Sequence, residues 1–112
     1  MKRDANHGEI VEELRVFGFS VYDAAHAGRS FPDLVVGLGG VTHLIEVKAG
    51  EKKRLLPGQK DFADTWRGAP VVVLHSRVEA TEWATRARHE LRRQNDAKAL
   101  TACVHREQKG AA

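Results

Sequence analysis

The sequence predicts a small α/β fold, a mixed β-sheet flanked by helices, and three features carry that prediction. A helical apolar period opens the chain at Ile10, Leu14 and Phe17. Two β-rich runs, Leu34 to Leu38 and Val41 to Val47, flank Gly39-Gly40 as the arms of a hairpin flank its turn. A continuous apolar run, Pro70-Val71-Val72-Val73-Leu74, follows a second helical segment and reads as another strand.

The elements follow in order. In the first helix Val11 widens the apolar stripe, Asn6 is the expected N-cap and Gly18 the expected C′ residue, and Glu9 and Glu13 flank the stripe one turn apart. Phe19-Ser20-Val21-Tyr22 alternates like a strand, and Ala24 to Ser30 is a loop leading to the hairpin. Ala49 to Arg54 is a polar connection. Pro57 opens a helix through Gln59, Phe62, Ala63 and Trp66, which Gly68 and Pro70 end. The run Pro70 to Leu74 is expected to be covered on both faces. Val78 to Gln94 is helical, with Ala80, Trp83, Ala84, Ala87 and Leu91 inward and arginines outward. Leu100 to Val104 reads as a last short strand and Gln108 to Ala112 as a frayed tail.

A chain of 112 residues is most simply one domain over 1–112, with its core at about 4–95 and one hydrophobic centre. Eighteen lysines and arginines against 15 acids give a formal charge of +3. That excess is compatible with a polyanionic partner, and its placement is more telling than its size. Lys52, Lys53, Arg54 and Lys60 form one group, and Arg86, Arg88, Arg92 and Arg93 another. The single cysteine, Cys103, excludes an intrachain disulfide and a cysteine zinc site. No segment approaches the roughly 20 apolar residues of a membrane span, and no secretion signal opens the chain, so the expected location is cytoplasmic.

Asp33 and Glu46 lie at the base of the hairpin. If Gly39-Gly40 is a two-residue turn, Leu38 faces Val41, and counting back along both arms sets Asp33 opposite Glu46. A longer turn using Gly37 to Gly40 would set a different pair. Opposed side chains lie roughly 4.5 to 5.5 Å apart at Cβ, where like charges repel unless something compensates. A divalent cation is the simplest compensation. Strand side chains repeat every two residues, so Lys48 shares the face of Glu46, whereas Ile45 and Val47 turn to the other side.

Pro32-Asp33 followed by Glu46-Val47-Lys48 resembles the motif of the PD-(D/E)xK nuclease superfamily. The wider order is similar to small phage and prophage VRR-NUC-like nucleases and, more distantly, to archaeal Holliday-junction resolvases. It runs from Asp4-Ala5-Asn6 and Glu9-Ile10-Val11 through Gly18, Pro32 to Gly37, Leu44 to Lys48 and Leu56-Pro57 with Gln59, to Val71 to Leu74.

The resemblance implies a restriction-endonuclease-like core and a magnesium-dependent endonuclease, with manganese able to substitute, that hydrolyses DNA, with branched or structured DNA in phage replication, recombination or repair as the expected substrate. Carried onto this sequence, it makes Asp33, Glu46 and the carbonyl of Val47 metal ligands. Lys48 becomes the residue that positions or deprotonates water, or acts as an electrostatic clamp. Glu9 becomes a helix glutamate for a second metal or its waters, a role open also to Glu12 or Glu13, and Gln59 a residue that orients the lysine or a phosphate. DNA contacts would come from Arg29, Lys52, Lys53 and Arg54. A homodimer and replication or recombination proteins are the implied partners. Gly58, inside a helix start, and the short loop Gly50 to Leu55 depart from the family pattern.

The chemistry asks for the same residue types. Magnesium takes oxygen ligands and is typically held by one or two carboxylates, which leaves positions for water and phosphate. Other readings stand beside this one: a DNA-binding module on the same scaffold without catalysis, or a structural protein whose acidic pair binds no metal. His26 and Arg29 fall in a loop that reads as solvated, and six scattered histidines show no ligand spacing, with His43 on the face opposite Glu46. Gly37 to Gly40 reads as turn glycines, because no helix and no Gly-Lys-Ser/Thr follows. Trp66 and Trp83, spaced with aliphatics, read as core rather than as base-stacking platforms.

Overall fold

Gly39 and Gly40 both take positive φ, 60° and 82°, the conformation that a two-residue type I′ hairpin turn requires. In this computed structural model, which describes residues 5–50 and 53–110, that turn joins β2 (Leu34–Leu38) to β3 (Val41–Val47). The antiparallel register pairs Leu38 with Val41, Val36 with His43 and Leu34 with Ile45, so the two-residue turn is the one formed. A Cβ on Gly39 would meet the end of the Leu91 side chain at 2.3 Å, so a residue of the last helix packs directly on the turn.

The remaining elements are α1 (Ala5–Val16), β1 (Ser20–Asp23), α2 (Pro57–Thr65), β4 (Val72–Leu74) and α3 (Arg77–Gly110). The sheet order is β1-β2-β3-β4; β1 and β2 run antiparallel, as do β2 and β3, whereas β3 and β4 run parallel. The fold is therefore α/β, with a four-stranded mixed sheet flanked by helices. Gly18 ends α1 at φ 94°, with Phe19 N–H donating to the Leu14 carbonyl and Gly18 N–H to the Arg15 carbonyl, the paired bonds of a Schellman cap.

One face of the sheet carries the core. Leu34, Val36, Ile45, Val47 and Leu74 pack with Ile10 and Leu14 of α1, Phe19, and Ala80 and Ala84 of α3. Alternation then sends Asp33, Val35, Leu44 and Glu46 to the other face. There α2 contributes no buried residue, and Tyr22 and Thr42 are exposed. This face is only partly covered.

Four expectations are corrected. Leu100 to Val104 is helix, not strand, because α3 continues unbroken from Arg77 to Gly110. No proline or glycine interrupts it, local pairs such as Arg93–Glu90 at 2.7 Å support it, and the Thr101 hydroxyl donates back to the Ala97 carbonyl at 3.0 Å. Beyond Leu91 the described side chains of this helix are all exposed, so its backbone bonds are satisfied within itself and not against the sheet. The apolar run Pro70 to Leu74 is not covered on both faces: β4 is a three-residue edge strand in which Val72 and Val73 are half-buried. Asn6 lies within the first turn of α1 instead of capping it. Trp66 is 43 % exposed and outside the core, whereas Trp83 does pack there, its ring 5.2 Å from Phe19 and 5.0 Å from His43.

Truncating Ile45 to alanine removes a fully buried side chain from the centre of this core and is expected to lower the unfolding free energy by about 2–5 kcal/mol in urea titration. Gly39→Ala combines a left-handed backbone penalty with displacement of Leu91 and is expected to cost at least ~1–2 kcal/mol by the same measurement.

Candidate functional site

Asp33 stands one residue before β2, and its carbonyl accepts from Ala24 N–H at 2.7 Å, which continues the β1 pairing. Its backbone is thus committed to β1, and its side chain reaches β3: Asp33 Oδ2 accepts from Val47 N–H at 2.9 Å. Extending the observed register by one residue sets Asp33 opposite Glu46 as a non-hydrogen-bonded pair, the closer of the two antiparallel pair types. In an extended strand the N–H and C=O of one residue leave on the same edge. The Val47 carbonyl therefore faces the Asp33 side. Two carboxylates and one carbonyl converge there.

Glu46 is 3 % exposed. Burial, then a hydrogen bond to the Asp33 carboxyl and its like charge, push the Glu46 carboxyl up to about 8, against a smaller opposing pull from Lys48. Two negative charges there would repel, which favours the protonated form of Glu46. Gln59 fixes the arrangement from α2: its Nε2 donates to Glu46 Oε1 at 3.2 Å, and its Oε1 accepts from Leu56 N–H at 2.9 Å. That second bond satisfies one of the open donors at the start of α2, so the same amide caps the helix and holds the carboxylate. Gly58, which departs from a good helix former, has a physical reason. A Cβ there would lie 2.4 Å from the Ser30 hydroxyl, so glycine lets the start of α2 abut the loop that precedes Asp33.

Lys48 is half-buried just past β3, and its charge acts on Glu46. Its N–H donates to the Leu74 carbonyl at 3.0 Å. Its carbonyl accepts from Asn6 Nδ2 at 3.0 Å, and the same amide nitrogen donates to the His75 carbonyl at 2.9 Å. Asn6 thus ties α1 to the ends of β3 and β4 beside the lysine. Sequence reading assigned Asn6 to a cap, and only the long-range fold reveals this use.

The other expected residues are less convergent. Glu9 is exposed on α1, whose apolar side packs on the face away from Asp33 and Glu46. Among the described residues no group of three or more His, Cys, Asp and Glu side chains gathers around a common point. Arg29 is exposed in the loop before Asp33, and it and Ser30 hold left-handed backbone, φ 54° and 63°. Two consecutive non-glycine residues in that region mark a constrained segment two residues from Pro32-Asp33. Lys53 and Arg54 line a groove of about 800 Å³ with Leu55, Lys60, Asp64, Val73 and His75. Lys60 pairs with Asp64 at 2.7 Å, which leaves Lys53 and Arg54 to set the sign of the groove. Lys52 lies outside the described residues. His43 sits on the core face, where burial lowers its pKa.

The donor set fits a hard divalent cation. Asp33, Glu46 and the Val47 carbonyl offer only oxygen, no sulfur or imidazole among the described residues joins them, and a cation would relieve the repulsion that otherwise keeps a proton on Glu46. Comparison with protein-family models, with curated proteins and with solved structures returns no match. No helix among the described residues is long and apolar enough to cross a membrane.

Glu46 keeps its proton to about pH 8 when folded and loses it near 4.5 when unfolded, so between these values the folded chain binds more protons and stability falls as pH rises. In chelator, the melting temperature is expected to decline from about pH 5 to about pH 8. Glu46→Gln should lack this contribution. Magnesium should raise the melting temperature of the wild type near the upper end of that range and leave Glu46→Gln unmoved, as read by differential scanning calorimetry.

Proposed function

We propose that this protein is a magnesium-dependent endonuclease of the PD-(D/E)xK superfamily, with a restriction-endonuclease-like core, that hydrolyses DNA phosphodiester bonds. The observation that carries the reading is the convergence of Asp33, Glu46, the Val47 backbone and Gln59 at one point of the sheet, with Lys48 on the same face. Both the residue types and their order along the chain fit the motif.

Asp33, Glu46 and the Val47 carbonyl would hold the ion. Bound there, magnesium supplies Lewis acidity toward water and toward a phosphate oxygen. The chain's own residues do the rest. Gln59 and Val47 N–H lock the two carboxylates before substrate arrives, which removes the reorganisation that free side chains would need. Lys48 places a positive charge beside the carboxylates, where it offsets negative charge building on a phosphate under attack. Lys53 and Arg54, in the groove beside α2, supply sequence-independent contacts to neighbouring phosphates.

Branched or structured DNA is the proposed substrate class, and a homodimer would place two such sites on two strands. The role belongs with replication, recombination or repair, in a phage or its bacterial host. The alternative, a DNA-binding module without catalysis, is less well supported, because the carboxylate pair and Lys48 are intact.

Plasmid, single-stranded, flap and four-way-junction DNA incubated with magnesium test the reading. Cleavage is expected with the wild type, with manganese substituting, and Asp33→Ala and Lys48→Ala should each lose roughly 10²-fold or more in rate. Cleavage that survives both substitutions would overturn the assignment. Binding without cleavage in every metal would favour the inactive module.

A further inference from the structure

Trp66 is a large aromatic that the core does not take. The residue is 43 % exposed, and its ring stacks on Phe62 at 5.3 Å between centroids and 16° between planes. Phe62 in turn meets Phe31 edge-on at 5.5 Å and 75°. Phe31 lies two residues before Asp33, and Gln59 lies one turn before Phe62 on the same side of α2. A row of side chains therefore leads from the Glu46 carboxylate through Gln59 and Phe62 to the indole. Seven residues at helical rise span roughly 10 Å. That is about three nucleotides at the 3.4 Å stacking repeat of one strand.

We propose that Trp66 is a stacking platform for an unpaired nucleotide of the strand whose phosphodiester enters the Asp33–Glu46 site. The inference rests on the nucleic-acid reading of that site and names the form of the strand. A base inside a duplex has both faces covered by its neighbours, whereas each base of an unpaired strand can turn a face to the indole. Phe62 already orders the ring, so little side-chain freedom is lost on binding. The charge around the helix selects the same occupant. Lys53 and Arg54 border the groove along the other flank of α2, where Asp64 pairs with Lys60, and the whole chain carries +3, which suits a polyanion. The strand's phosphates would follow the basic flank while its bases lie on the aromatic one.

Tryptophan fluorescence in chelator, with no cleavage possible, tests this directly, because the chain has two tryptophans and Trp83 is packed against Phe19 and His43. A single-stranded oligonucleotide is expected to quench the wild type, and a blunt duplex to do so far less. Trp66→Phe should bind the single strand within about threefold of the wild type, since a phenyl ring also stacks, yet show no quench from its remaining indole. Trp66→Ala should bind the single strand roughly 5- to 150-fold more weakly and the blunt duplex unchanged. Trp66 lies outside the core, and thermal melting checks that each variant is folded. Absence of quenching in the wild type, or undiminished single-strand affinity in Trp66→Ala, would overturn the proposal. So would a dimer in sedimentation that Trp66→Ala dissolves, because the aromatic ledge would then join two copies. Quenching without cleavage under magnesium would keep this inference and sink the nuclease reading, whereas cleavage without quenching would do the reverse.

Discussion

The register between β2 and β3 is the constraint on which the rest of the molecule depends. A slip of one residue in either strand would turn every side chain to the opposite face, exposing Ile45 and Leu34 and burying Asp33 or Glu46 among aliphatics. Two features hold it from opposite ends of the hairpin. At the tip, Gly39 and Gly40 accept the positive φ that the two-residue turn imposes, and Leu91 packs against the first of them. At the base, Val47 N–H donates to Asp33 Oδ2, so a candidate functional side chain also closes the last rung of the ladder.

That arrangement gives the sheet two unlike faces. The side packed against α1 and α3 carries the fully buried aliphatics, and most of the hydrophobic stabilisation lies there. The other side holds two acids that repel one another, a lysine, and a helix that buries none of its own residues. The position of α2 is set by the Gln59–Glu46 hydrogen bond and the Phe31–Phe62 ring contact, both of which involve residues at or next to the carboxylates. Site and helix are therefore coupled: whatever changes the charge on Glu46 acts on the bond that anchors α2. The energetic cost of gathering like charges falls on the face with the least packing to lose.

Much of this was legible in the residues themselves. The Gly39-Gly40 turn, the pairing it dictates, the helical start at Pro57 and the Gly18 stop each follow from local backbone preferences, and these the fold respects. Gln59 was legible only through the resemblance to the nuclease motif. What escaped depends on contacts far apart in sequence. Asn6 looks like a cap because asparagine usually is one, yet its amide is used 42 and 69 positions away, at Lys48 and His75. Leu100 to Val104 looks like a strand because Thr101 and Val104 are β-branched, but an uninterrupted helix satisfies its own backbone. Trp66 looks like core by periodicity, and it is the missing third layer over α2 that leaves it in solvent.

The chain by itself determined the hairpin, and with it which two carboxylates oppose one another, because a two-residue turn of glycines and the two-residue period of a strand are local rules that need no other contact. Tertiary structure alone decided the company those carboxylates keep. Burial of Glu46 with Gln59 above it, the anchoring of Lys48 by Asn6, the exposure of Glu9 and the exposure of Trp66 follow from how helices settle on the two faces of the sheet. That choice depends on shape and packing across the whole domain, which no short window of sequence contains.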